Sequence, residues 1–282
     1  MQAAHKFIIL NGKIIGSELI HSTNFTIEPT IKLFQKIWFG FGGIPLFAEN
    51  LKLLKQHASI LKLNFPEDLE NEREQFRLVK RMLNKNKFYQ SGYIWVQLLF
   101  SEGNTLTCLG SSSLKGFNFP AADDNLLINF SRLRKNIHNY PNRYSFFNER
   151  LWEVARAEIK DTSFGQSILL NEEGSVCEAI GSNIFMLKGN EFITPSLSTG
   201  CYDDTMRNVV FQAAEKAGLI IKEADSIDQG EMGEMDEVFL VSEENGFQWI
   251  KGIGQKRFFR SRAQLLYINL NELLQKKALL LT

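Results

Sequence analysis

The sequence predicts an α+β fold in two domains, and three observations carry that prediction. Apolar runs of strand length come in pairs around turn residues. Helical spacing occurs in separate blocks rather than alternating with single strands. At 282 residues, the chain exceeds the roughly 150 residues of a usual domain. The first pair, HKFIIL and KIIGSE, flanks Asn11-Gly12, a type I′ turn signal. A strand, LFQKIWFGFGG, leads through Ile44-Pro45 into ENLKLLKQHASILKL, where Leu51, Leu54, Ala58 and Leu61 share a helical face. Pro66 sits at the first turn of a second expected helix, PEDLENEREQFRLVKRML. Its acidic start and basic end suit the helix dipole, and Leu69, Phe76, Val79 and Leu83 form its buried stripe.

GYIWVQLLF and TLTCLGSSS form a second hairpin across Glu102-Gly103-Asn104. The polar patch AADD follows, then a strand, LLINFSRL. These features place a smaller domain at 1–118, a linker at 119–125 and a larger domain at 126–282. The second half continues with an irregular HNYPNRYS, a helix over 145–160 and strands SILLN, SVCEAIGSNIFML and EFITP. A helix over 204–217 closes at Gly218. Strands LIIKEA, EVFLVS and FQWIKGIG precede a Leu-rich final helix over 262–280.

Composition narrows the function. Lys+Arg and Asp+Glu balance at 32 each, so no net field favours nucleic acid or an anionic membrane. No apolar run reaches the length of a membrane span. Cys108, Cys177 and Cys201 form no CxxC pair, which argues against structural zinc and disulfides and for a reducing, cytoplasmic setting. Nucleotide P-loops, GxSxG, HExxH and GxGxxG are absent. His57 and His138 are isolated and read as surface or structural residues. Glu178, between an apolar strand and a Gly-Ser-Asn turn, is either an exposed strand end or a buried acid needing a partner. The loop TPSLSTGCYDDTMR feeds a helix N-terminus that suits an anion, yet Asp203 and Asp204 stand there as caps that repel one.

The run LLNEEGSVCEAIGSNIFMLKGNEFITPSLSTGCYDDTMRNVV resembles the signature of class IV aminotransferases, the fold type IV enzymes of pyridoxal 5′-phosphate (PLP). Branched-chain and D-amino acid aminotransferases and aminodeoxychorismate lyase belong to that family. Leu170, Gly174, Val176, Glu178, Asn183, Phe185, Thr194, Pro195, Gly200 and Arg207 fit the pattern. GIPLFAENLKLLKQHASIL and EVFLVSEENGFQWIKGI resemble its first helix and its closing segment. The resemblance implies a D-amino acid aminotransferase-like architecture with a cleft between domains, a homodimer, and PLP held by a lysine, a ring-nitrogen acid and a phosphate site.

Carried over position by position, Glu178 matches the ring-nitrogen acid, with Asn183 beside it. The lysine of a K-x-x-N pattern anchored on Asn148 falls on Ser145; anchored on Asn142 it falls on Asn139. Lys135 and Lys160 lie outside that register. The phosphate-binding Arg falls on Leu53 and its paired His on Asn50. The glycine of the phosphate loop falls on Asp204, followed by Thr205, and the small residue of the last segment falls on Glu243. Gln35 and Trp38 replace a Glu and an Arg before the first helix. Losing a guanidinium removes strong phosphate bonds, and each added carboxylate about 4 Å from a charge costs on the order of 4 kcal/mol.

The expectation is therefore a class IV aminotransferase-like or aminodeoxychorismate lyase-like protein that does not hold PLP in the family's way. It would be non-catalytic or repurposed, with a small-molecule ligand in its cleft. Asp203, Asp204, Glu243 and Glu244 could favour a cation there. The alternative is an active PLP-dependent aminotransferase or lyase acting on a small amino acid or an amino-chorismate.

Overall fold

The computed structural model describes residues 6–19, 31–102, 104–138 and 140–280. Gly103 of the expected turn and Asn139 of the alternative lysine register lie outside them. The chain divides into two compact units: residues up to Phe119 together with the chain from Leu274 on, and Pro120–Leu273.

The first unit is built on one antiparallel sheet in the order β2-β1-β5-β4-β3. Its strands are β1 (Phe7–Leu10), β2 (Lys13–Gly16), β3 (Ile31–Phe39), β4 (Ser91–Ser101) and β5 (Asn104–Leu114). Asn11 and Gly12 both take positive φ, as a type I′ turn requires. Helix α1 (Phe47–Ile60) buries Leu51, Leu54 and Ala58, the face its spacing predicts.

The second expected helix is split. Glu67–Leu69 form a short 3₁₀ turn after Pro66, and α2 (Glu72–Asn86) starts afresh behind Asn71. The Asn71 side chain accepts the Glu74 N–H at 3.2 Å, a better N-terminal stop than Pro66 offers. The stretch 119–125, read as a linker, instead runs into a long strand, β6 (Ala121–Lys135). The end of the final helix, read as part of the second domain, groups with the first unit.

The second unit carries a mixed sheet in the order β11-β10-β9-β12-β13-β6-β7-β8. Its further strands are β7 (Gln166–Asn171), β8 (Val176–Ala179), β9 (Asn183–Lys188), β10 (Glu191–Pro195), β11 (Ile220–Ala224), β12 (Glu237–Ser242) and β13 (Gly246–Ile253). β7, β8, β9 and β12 are almost wholly buried, as strands covered on both faces must be. The helices here are α3 (Ser145–Ile159), α4 (Arg207–Lys216), the one-turn α5 (Gln229–Gly233) and α6 (Ser261–Leu280). No helix among the described residues is long and apolar enough to cross a membrane.

Candidate functional site

The site forms where β6, β8, α3 and the loop before α4 meet. Pairing of β6 with β7 slips between Phe130 and Arg134: four residues of β6 oppose two of β7. The Ser131 hydroxyl accepts the Leu133 N–H at 3.1 Å and donates to Glu158 at 2.6 Å, which fixes this bulge. Bulges re-aim the side chains that follow, and here Lys135 turns into the interior. Its Nζ donates to Glu178 Oε2 at 2.6 Å, and both side chains are fully shielded from solvent.

A buried ion pair persists only when its remaining lone pairs are also satisfied. Glu178 meets that need. Trp152 Nε1 on α3 donates to its Oε1 at 2.8 Å, and the Tyr202 backbone N–H donates to its Oε2 at 2.7 Å. The Trp152 and Tyr202 rings pack edge to face at 5.0 Å. The Lys135 ammonium spends one of its three donors on Glu178 and finds no other hydrogen-bond partner among the described residues.

The loop after Gly200 is anchored by Asn183. Its amide donates to the Tyr202 carbonyl at 2.7 Å and accepts the Asp204 N–H at 3.3 Å. Asp204 then folds back on the loop. Its Oδ1 accepts the backbone N–H of Met206 at 2.8 Å and that of Glu243 at 3.1 Å, and its Oδ2 accepts the Tyr202 hydroxyl at 3.2 Å. Burial pushes the Asp204 carboxyl up to about 6, against those hydrogen bonds, which lower it. Burial, then the Asp204 charge, also pushes the Tyr202 hydroxyl up. Glu243 is buried, and its Oε2 accepts the Thr205 hydroxyl at 2.5 Å.

Arg207 opens α4 with its guanidinium buried. It donates to the Pro195 carbonyl at 2.7 Å and to Glu223 at 2.8 Å, so it ties β10 to β11.

The structure thus brings together Glu178, Asn183, Asp204, Thr205 and Glu243. Ser145 is the first residue of α3, half-buried, and bonds to neither Lys135 nor Glu178. Leu53 lies half-buried on α1 in the other unit. Lys135, outside the K-x-x-N register, is paired with Glu178 in this cluster. The K-x-x-N spacing runs back from α3, whereas Lys135 enters from the end of β6. A lysine closing the apolar strand LLINFSRLRK was the available signal. Asp203 is exposed, its N–H on the Arg143 carbonyl, and no group of three or more His, Cys, Asp or Glu suited to a metal occurs among the described residues.

The chain thus combines a two-unit α+β fold with a buried, fully bonded acid, Glu178, on β8. The family model for amino-transferase class IV matches residues 39–251, and the chain belongs to that family. A probable branched-chain-amino-acid aminotransferase of Rickettsia bellii is 25% identical over 77% of each chain. One from Synechocystis is 32% identical over 31% of this chain, and the match spans 28% of that relative's length. The aminodeoxychorismate lyase of Bacillus subtilis is 40% identical over 24% of this chain and 23% of its own. Among solved structures, the branched-chain aminotransferase of Thermobaculum terrenum (M3 mutant) superposes with a TM-score of 0.82 at 19% identity, covering 98% and 95% of the two chains. Its holo form with PLP gives 0.80.

Proposed function

We propose that this chain is a class IV aminotransferase-fold protein whose cofactor site has been closed from within. It does not hold PLP as the family does, and it acts as a non-transaminating, repurposed binding protein. The observation that carries this reading is the Asp204 carboxylate on the N–H groups of Met206 and Glu243. By the resemblance, these loops are the phosphate site. Asp204 supplies there the negative oxygen a phosphate would bring, and it leaves those two donors satisfied.

The fit of PLP fails at two points. A phosphate near charge −2 would meet the carboxylates of Asp204 and Glu243, each costing on the order of 4 kcal/mol at about 4 Å. The pyridine ring would also have to lie between the lysine and the acid, because the aldehyde carbon and the ring nitrogen sit on opposite sides of it. By the K-x-x-N register the family's lysine position is Ser145 here, and the amine that does stand at the acid, Lys135, is already ion-paired to Glu178 at 2.6 Å.

One observation favours a second reading, an active PLP enzyme with Lys135 as its anchor. Lys135 is a buried amine beside the acid, with two N–H groups uncommitted among the described residues. That reading needs Asp204 to leave the cradle. The two are separated by titrating PLP into the protein and into Asp204→Gly combined with Glu243→Thr, followed by visible absorbance. The closed-site reading expects no binding to the parent at submillimolar PLP and at least tenfold tighter binding to the double variant. Tight binding to the parent contradicts it.

A further inference from the structure

The end of the second unit's sheet opposite Glu243 carries a surface independent of the cofactor question. Several strand ends and one turn meet there. The Ile220 N–H, at the start of β11, donates at 3.0 Å to the Asn190 carbonyl in the turn between β9 and β10. Arg262 donates to the Gly189 carbonyl of the same turn. Phe259 pairs with Glu237 at the start of β12, and its N–H donates to the Asp236 carbonyl at 2.8 Å. A two-residue strand, β14 (Lys256–Arg257), pairs with the end of β13.

Charge and apolar surface coincide at this end. Residues 251–262, KGIGQKRFFRSR, hold five cations and no acid, in a chain whose charges balance overall. The family model's match ends at the first of them. Lys256, Arg257 and Arg262 are exposed and make no ion pair among the described residues. Arg257 donates to the Gly254 and Lys256 carbonyls, and Arg262 to that of Gly189. Such bonds hold the guanidiniums in place without cancelling their charge. The acids nearby do little to offset them. Glu234 pairs with Lys188 at 2.8 Å, and Glu237 is buried beneath the start of α6. Asp236, which accepts the Gly189 N–H at 2.8 Å, and Glu191 remain exposed. Among these charges Phe259 is 74% exposed, Ile220 62%, and Leu265, one turn into α6, 47%.

We propose that this face docks on an anionic lipid bilayer, with the cations on the headgroups and Phe259, Ile220 and Leu265 at the boundary between headgroups and acyl chains. The combination selects the partner. Each Lys or Arg near an anionic leaflet strengthens partitioning roughly fivefold. Apolar side chains set among cations add burial at the bilayer interface, which a soluble polyanion does not offer. A nucleic-acid strand takes aromatic platforms for its bases, whereas two of the three exposed apolar side chains here are aliphatic. The contact is peripheral, since no described helix is long and apolar enough to span a bilayer.

Co-sedimentation of the full chain with sucrose-loaded vesicles tests this, using phosphatidylcholine alone and phosphatidylcholine with about one third phosphatidylserine. Partitioning onto the anionic vesicles should be at least tenfold stronger, and it should collapse in molar salt, where charges are screened within a few ångströms. Lys256→Gln with Arg257→Gln should weaken it at least tenfold. Phe259→Ser should weaken it at least threefold. Neither should move the melting temperature, because all three side chains are exposed. Absence of binding at millimolar anionic lipid, equal binding to both vesicles, or indifference to either variant would overturn the proposal. Tighter binding to a single-stranded oligonucleotide than to the anionic vesicles, or self-association of the chain abolished by Phe259→Ser, would overturn it in favour of another partner.

Discussion

At the scale of single residues, two carboxylates define the second unit's site in opposite ways. Glu178 is fully compensated by Lys135, Trp152 and Tyr202, so removing one member strands a buried charge. Lys135→Met should cost about 3–5 kcal/mol of stability, and the double variant with Glu178→Leu should recover much of it; urea unfolding of the set measures this. Asp204 is held for its hydrogen bonds but penalised for its charge. Its carboxyl titrates near 3.8 when unfolded and about 6 when folded. Between those values the folded chain keeps a proton that the unfolded chain releases, so Asp204's contribution is present below pH 3.8 and is lost as pH rises through 6. Asp204→Asn keeps the acceptor and drops the charge. It should therefore melt above the parent at pH 7.5, with the gap closing by pH 4, as melting curves across that range would show. Glu178, Asn183, Asp204 and Glu243 were picked out by the resemblance to the class IV signature, position by position, and they fall close together around the Tyr202 loop. Lys135 was not picked out, since a bulge changes the face of every residue after it, and no alternation pattern reports a bulge.

At the scale of elements, the helix ends show what local signals carry. The break between Leu69 and Glu72 was readable as N-x-x-E at Asn71–Glu74, and the stronger Pro66 signal masked it. The start of α6 falls within one residue of the 262 that the sequence predicts, but the group that caps it is not local. Glu237, on a strand more than twenty residues earlier, accepts the N–H groups of Arg262 at 2.9 Å and Ala263 at 2.8 Å and the Ser261 hydroxyl at 3.1 Å. A cap supplied from across the fold is invisible to a sequence window. Glu237→Ala should cost about 2 kcal/mol, and hydrogen exchange should rise selectively at the first turn of α6. Uniform exchange throughout the chain would mean the cap is not local in effect. The boundary between the two units, at Phe119/Pro120, falls within the stretch 119–125, and Ala121 and Ala122 there already pair in parallel with β13.

At the scale of the whole molecule, the order of strands and helices followed from hairpin signals and helical spacing, and the two-unit α+β plan is that of the class IV aminotransferases. The three cysteines are buried within it. Burial pushes the Cys108 and Cys201 thiols up to about 11 and Cys177 higher still. The folded protein at pH 8 should thus leave all three unmodified by a thiol reagent over minutes, and each should react once denatured. We propose that the family's scaffold has closed its cofactor site with the Asp204 carboxylate. The most direct measurement is borohydride reduction of the protein incubated with PLP, followed by mass spectrometry. The intact mass should be unchanged and no lysine peptide should carry a pyridoxyl group. A stoichiometric pyridoxyl adduct on Lys135 would overturn the closed-site proposal and restore a working cofactor site.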